Sequence, residues 1–258
     1  MTAHSRVLTR VGCFIRLAAA TGLLTLVAAC APGLALQKQT PAPAPANIAF
    51  DESGKSWWRV YFHLAWDQAG EPDWHVDALL ADQVMAPIIA HTEARISLWR
   101  FHRRAAQDDA GHRFSFIFYA DPETAEVINN GVTRSPVTAR LLDAGVVLEI
   151  QLAVLDEPLA EDIGGMSDPA WPDAVMRSWP WFIMGVSQSW LRLVDEMKAQ
   201  RPPPDEASVE EMLEYYRGIH DEVSTLWREQ GQHAYLHHLN ALFGYQLLII
   251  RETNLKRF

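Results

Sequence analysis

Three cationic side chains alternate along one short predicted strand and form the main candidate for an anion-binding site. Within WRFHRRAAQDDAGHRF, Arg100, His102 and Arg104 share one strand face, because successive side chains of a strand point to opposite faces. His112, beyond the hairpin loop, is added to this candidate. Guanidinium groups bind carboxylate and phosphate oxygens through paired hydrogen bonds. The alternative is pairing with the protein's own carboxylates, for instance Asp108, Asp109 or Glu149.

Two other patterns could carry chemistry. His233 and His237 are four residues apart on a predicted helix, so both could ligate one metal ion. Ala234 stands where a zinc metalloprotease motif has its glutamate, and a polar helix face is the alternative reading. Ser187, in GVSQS, resembles a serine-hydrolase elbow without its last glycine; because it lies within a predicted helix, close helix packing is the alternative.

The elements that must position these residues alternate between period-two and helical patterns. Strands are predicted at residues 56–66, 96–103, 112–119 and 146–154, and helices at 74–92, 123–129 and 136–143. The order strand, helix, strand, strand, helix, strand is that of a ferredoxin-like fold. We therefore predict an α+β protein with a four-stranded antiparallel sheet and helices on one face.

The carboxy-terminal third is predicted to be helical and to pack against this sheet. Residues 156–169 form an acidic connector, followed by helices near 171–200, 209–229 and 233–254, the last two separated by Gly231. Both faces of the sheet carry apolar residues, so we expect these helices to cover the second face. Residues 48–155 and 156–258 are thus predicted to form one fold.

The amino-terminal segment has the layout of a secretory signal. Arg6, Arg10 and Arg16 precede an apolar core, and small residues lead to Cys30. The sequence Val-Ala-Ala-Cys at residues 27–30 resembles the lipobox of bacterial lipoproteins, which are cut before the cysteine and acylated on it. The resemblance implies a signal peptide at 1–29, a lipidated Cys30 and a Pro/Ala-rich tether to residue 47.

Localisation follows from the same resemblance. Ala31 replaces the aspartate that often retains such lipoproteins in the inner membrane, which favours the outer membrane, facing the periplasm. The membrane is then a partner through the lipid on Cys30. Two or more acyl chains anchor a protein far more firmly than one.

Composition limits the function further. The chain has a formal charge of −10, and removal of the signal with its three arginines would leave about −13. So acidic a protein is not expected to bind nucleic acid, which needs clustered lysine and arginine. No cofactor is expected. We predict an envelope lipoprotein that binds a protein partner or an anionic ligand. The alternative is a periplasm-facing enzyme with an Arg/His site between the sheet and the carboxy-terminal helices.

Residues 57–154 also resemble the carboxy-terminal domain of lantibiotic dehydratases and thiopeptide-type biosynthesis proteins. The matching pieces are an aromatic first strand, Pro-Ile-Ile at 87–89, Trp-Arg-Phe at 99–101 and Gly-His-Arg at 111–113. The second arginine of the family's last strand is missing, with Phe114 and Ser115 in its region. The resemblance implies a similar shape, and the family's elimination activity is not carried over.

Overall fold

Four strands form one antiparallel sheet in the computed structural model, which describes residues 51–203 and 206–245. The strands are β1 (Ser56–Leu64), β2 (Leu98–Ala105), β3 (His112–Ala120) and β4 (Val147–Gln151). Their order is β2-β3-β1-β4, and each neighbouring pair is antiparallel. With the helices between them, this is the split β-α-β arrangement, so the predicted α+β fold is confirmed.

The connection from β1 to β2 is a helix with one widened stretch. It comprises α1 (Trp74–Leu80), a π-helical segment (Ala81–Met85) and α2 (Ala86–Thr92). Pro87 lacks an amide hydrogen and its ring would collide with the preceding turn of a regular α-helix. The wider turns just before it accommodate the proline, so the chain stays helical across the whole predicted range.

Two capped helices connect β3 to β4. They are α3 (Pro122–Arg134) and α4 (Pro136–Asp143), and each begins with a proline, where no amide hydrogen is needed. The Asp121 carboxylate accepts a 2.7 Å hydrogen bond from the Thr124 amide, and the Ser135 hydroxyl accepts one from Thr138. These caps satisfy amide groups that the first helical turns leave free.

The main core lies between the sheet and its helices and is rich in aromatic residues. On β1, Trp58, Val60, Phe62 and Leu64 all face it and are at most 2% exposed. Apolar side chains of the neighbouring elements fill the space opposite, among them Leu79, Phe101, Phe114, Phe116, Phe118 and Ile128. Burial of these large side chains is the main favourable contribution to folding.

Helix α5 (Asp173–Gln200) runs along β2, and α6 (Val209–Leu226) packs on α1. Beyond α6 the chain continues without interruption through a second π-helical segment (Trp227–His237) into α7 (His238–Leu242). The expected break at Gly231 is therefore absent, because this residue keeps helical geometry and lies against Trp227. The predicted last helix, 233–254, is wrong at residues 243–245, where the chain turns with positive φ at Gly244 and Tyr245, and its part from residue 246 lies outside the described residues.

Asp82, in the first π-helical segment, accepts hydrogen bonds from side chains of both α5 and α6. The Lys198 ammonium group of α5 donates to its Oδ1 at 2.6 Å, and the Tyr216 hydroxyl of α6 donates to its Oδ2. Tyr216 is 1% exposed, and its pKa is raised above the ordinary value first by burial and then by the negative charge of Asp82. The two helices thus belong to the same structural unit as the sheet.

The second face of the sheet is covered only at one end, contrary to expectation. The loop after β4 docks there: the Trp57 indole donates to the carbonyl oxygens of Asp162 (3.1 Å) and Ile163 (3.2 Å), and the Tyr119 hydroxyl donates to that of Glu161. The acidic connector is thus attached to the sheet. Helix α5 adds Met184 to this cluster, and otherwise the carboxy-terminal helices pack on the other side of the sheet and along β2. Within the described ranges, no helix combines the length and hydropathy of a bilayer crossing.

Candidate functional site

The uncovered part of the second face is a cationic surface built by three neighbouring strands. Strand register places Arg100 and Arg59 on either side of Ile117, and His102 and Tyr61 on either side of Ser115. We call this surface the cationic face; its residues are Arg59, Tyr61, Arg100, His102, Arg104, Arg113 and Ser115. The sequence prediction that Arg100, His102 and Arg104 share one strand face agrees with this register.

Two arginines converge on one aromatic ring at the centre of the cationic face. The guanidinium carbon of Arg59 lies 5.2 Å from the centroid of the Tyr61 ring, and that of Arg113 lies 4.8 Å from it. Neither arginine forms an ion pair with any carboxylate of the described residues. The buried Nε of Arg113 has no hydrogen-bond partner there either. Both guanidinium groups thus contact the Tyr61 ring without a neutralising carboxylate among the described residues.

Arg100 forms a second cationic centre at the outer edge of the same face. Its guanidinium carbon lies 5.0 Å from the Trp179 ring of α5, and its buried Nε has no hydrogen-bond partner among the described residues. Loss of water by burial lowers the pKa of Arg100 to about 10, which leaves the group charged at neutral pH. The alternative pairing with Glu149 is not formed: Glu149 opposes His63, on the far side of β1 from β2.

His102 and Ser115 lie between the two centres. Although His102 is exposed at the surface, loss of water around its ring, and then the positive charges of Arg100, Arg104 and Arg59, lower its pKa. Ser115 is 5% exposed, and its hydroxyl has no hydrogen-bond partner in the described part of the chain. It can therefore donate a hydrogen bond to a bound group.

Arg104 is already engaged, unlike the other arginines of this face. Its guanidinium group pairs with Asp108 in the hairpin loop. That carboxylate also accepts hydrogen bonds from the Ala110 and Gly111 amides, so it organises the turn. Arg104 thus follows the alternative to anion binding, which is an ion pair with one of the protein's own carboxylates.

His112 does not belong to the cationic face. It pairs with Ala105 in the strand register and points into the main core, where it has no exposed surface. Its Nε2 lies 3.0 Å from Oδ1 of Asp77, but the approach is too oblique for a hydrogen bond. Arg103 donates a 2.7 Å hydrogen bond to the other oxygen of Asp77, and its guanidinium carbon lies 4.8 Å from the centroid of the Trp190 ring. Asp77, Arg103 and His112 thus connect α1 to the hairpin of β2 and β3.

Two further histidines flank this buried cluster. Burial, and then the positive charge of Arg103, lower the pKa of His220 on α6 to about 4. Burial, and then Arg217, also lower the pKa of His75 on α1. The structure therefore brings a histidine of the carboxy-terminal helices near the sheet, but beside Arg103 and not beside Arg100 or His102.

The metal and nucleophile candidates have simpler surroundings. The rings of His233 and His237 stack with centroids 5.0 Å apart, and the described residues contain no group of three or more potential ligands that could hold a metal ion. The Ser187 hydroxyl accepts a 3.1 Å hydrogen bond from the Phe101 amide and donates one to the Ile183 carbonyl oxygen. Ser187 therefore joins α5 to β2, as close helix packing requires.

Some predicted residues lie outside this geometry, and some members of the site were missed. Cys30, the predicted lipidation site, lies outside the described residues. Arg59 and Tyr61 stand on the polar side of the first strand's alternation, and Arg113 immediately follows His112. Alternation was the signal that could have found them. Joining them to Arg100 required the strand order.

Comparison with known proteins does not assign this chain to a family. No protein-family model and no curated protein matches the sequence. Among solved structures, the crystal structure of TsrL matches with a TM-score of 0.37 and 14% identity, over 77% of this chain and 51% of that chain. This chain thus spans about half the length of TsrL. The resemblance to lantibiotic dehydratases stays a prediction from its motifs.

Proposed function

We propose that the protein is a lipid-anchored envelope protein that binds an anionic ligand on its cationic face. The observation that supports this is the set Arg59, Arg100 and Arg113, which lie on one partly buried surface without a carboxylate partner among the described residues. Arginine forks match the oxygens of phosphate and carboxylate groups, so an anion is the complementary ligand.

Electrostatics argue for a ligand rather than for stability as the reason for this arrangement. Contact with Tyr61 stabilises each guanidinium group by only about 0.5–2 kcal/mol. Arg59 and Arg113 bring two positive charges to the same ring, and partial burial weakens the screening of repulsion between like charges by water. A bound anion would turn the repulsion into attraction. The whole chain has a formal net charge of −10, so the positive charge of this face is opposite in sign to that of the protein.

The anchor gives this binding activity its place in the cell. Acylated Cys30 would hold the protein on the outer membrane, and the Pro/Ala-rich tether would let the folded part face the periplasm. An acidic segment of an envelope protein would offer the same type of oxygen ligands as a small anion. We expect labelled palmitate to enter the wild-type protein and not Cys30→Ser, and equal labelling of both would contradict the anchor.

Calorimetric titration of the full chain in detergent with inorganic phosphate tests the ligand site. We expect saturable binding by the wild type, and loss of binding in Arg59→Gln/Arg113→Gln, because both converging guanidinium groups are removed. Arg192→Gln is the matched control: Arg192 is 78% exposed and pairs with Asp195 on α5, away from the cationic face.

The outcomes are distinct. If the wild type binds phosphate, and the double variant and the control bind it equally well, the cationic face is not the site. If the wild type binds neither phosphate nor an acidic peptide, the proposed function is wrong. Binding of the peptide alone would assign the face to an acidic protein partner.

A further inference from the structure

We infer that the ligand of the cationic face carries two phosphate groups, one for each cationic centre. This inference rests on the proposed function and defines its ligand more closely. The first centre is the pair Arg59 and Arg113 at Tyr61, and the second is Arg100 at Trp179. The described residues offer no carboxylate to either centre.

The register of the sheet separates the two centres. Arg59 and Arg100 both pair with Ile117, from opposite sides, so their Cα atoms lie two strand spacings apart, about 10 Å. Arg59 leans along its own strand to Tyr61, whereas Arg100 leans outward to α5. A single phosphate is too small to contact guanidinium groups at both places.

The surface between the centres suits a bridging ligand. Ser115 lies there, almost fully buried except toward this face, and its hydroxyl has no partner in the described ranges. His102 lies across from Tyr61 in the same row and adds a further donor. A ligand that spans the centres would pass over these groups and could accept hydrogen bonds from them.

Phosphate suits the centres better than carboxylate. Each of the three guanidinium carbons lies 4.8–5.2 Å from the centroid of an aromatic ring, and none of these groups pairs with a carboxylate of the described residues. Two guanidinium groups beside the Tyr61 ring suit a group with two negative charges and several acceptor oxygens. A carboxylate carries one charge and would leave part of the repulsion between Arg59 and Arg113 in place.

Hexanediol bisphosphate, with hexyl phosphate as its one-headed counterpart, tests the inference on the full chain in detergent. The second phosphate binds within the same complex, so we expect the bisphosphate to bind roughly tenfold more tightly or better. Arg100→Gln should abolish this advantage and leave the affinity for hexyl phosphate nearly unchanged. Arg113→Gln should weaken the binding of both, and Arg192→Gln should weaken neither.

Equal affinities of the two compounds would overturn the inference and leave the proposed function intact. Failure of both compounds and of inorganic phosphate would also overturn the inference, and failure of the acidic peptide as well would end the proposed function. An unchanged bisphosphate advantage in Arg100→Gln would reduce the site to one centre. Thermal unfolding of each variant checks its fold, and Arg100→Lys, which keeps the charge, should retain part of the advantage.

Vesicles with bisphosphorylated or monophosphorylated lipid A show whether a lipid headgroup presents the same two groups. Stronger binding to the former assigns the ligand to a lipid, and equal binding assigns it to a soluble bisphosphate.

Discussion

Arg103 donates a 2.7 Å hydrogen bond from Nε to Oδ2 of Asp77, a carboxylate with no exposed surface. We predict that Asp77→Ala lowers the free energy of unfolding by about 3–5 kcal/mol, because it leaves the partly buried Arg103 guanidinium group without its carboxylate partner. Urea unfolding at neutral pH measures this loss. Asp195→Ala, which breaks an exposed ion pair with Arg192, is the control and should change stability by about 1 kcal/mol or less. Equal effects of the two changes would mean that the buried pair adds no stability.

Arg100→Ala should behave in the opposite way. It strands no carboxylate of the described chain and removes one aromatic contact, so we expect a loss of about 1 kcal/mol or less. Thermal unfolding of the full chain without ligand gives the answer. A loss of several kcal/mol would show that Arg100 holds the fold together, and the cationic face would then lose its second centre.

The stability of the protein should fall in mild acid because of His220. Its pKa in the folded protein is about 4, below the unfolded value of about 6.5, so the unfolded state binds the proton more strongly. The stabilisation is present above the unfolded pKa and is lost as the pH falls from about 6.5 towards 4. Urea unfolding across this range should show a smaller decrease in His220→Gln than in the wild type. An identical decrease in both would assign the effect to other groups, His75 among them.

Anion binding should be coupled to the charge of His102. Arg100, Arg104 and Arg59 help to keep the pKa of His102 low, and a bound anion would offset their field and raise it. The complex then takes up a proton, so affinity should increase as the pH falls through the ordinary histidine range. Sulfate is the suitable probe because it keeps both charges there. Titrations at several pH values should show a steeper increase for the wild type than for His102→Gln, and parallel curves would contradict the coupling.

A chain that ends at residue 201 should not fold properly. It lacks α6, whose Tyr216, Ile219 and Val223 belong to the main core, and it loses the Tyr216 hydrogen bond to Asp82. We expect a fragment of residues 48–201 to bind hydrophobic dyes and to lose its sharp thermal transition. A cooperative transition close to that of residues 48–258 would show that the sheet region is independent of α6.

Alternation and helical spacing were sufficient to predict the fold, because each strand has one face in the main core. The same periodicity separated Arg100, His102 and Arg104 from their buried neighbours. The prediction for His112 was wrong because it departed from this alternation: His112 stands two residues before Phe114 and so shares the core-facing side of Phe114, Phe116 and Phe118. His112 pairs with Ala105 and therefore joins Arg103 in the core.

Contacts between distant segments were beyond the reach of sequence patterns. In the sequence, Asp77 is a polar residue beside an apolar helical stripe. Its burial in the structure is explained only by the position of Arg103, with which it pairs. Arg59 is more than fifty residues from Arg113, and their meeting at Tyr61 follows from the pairing of β1 with β3. The apolar residues of the second face were visible, but most of their cover comes from the loop after β4, with Met184 of α5 added.

The hydrogen bond between the Phe101 amide and Ser187 has a consequence for solubility. β2 is an outer strand of the sheet, and an outer strand with free amide groups can pair with a strand of another molecule. Helix α5 lies along that edge, and its serine hydroxyl occupies the Phe101 amide. Chain-to-chain growth of the sheet is thereby blocked on this side.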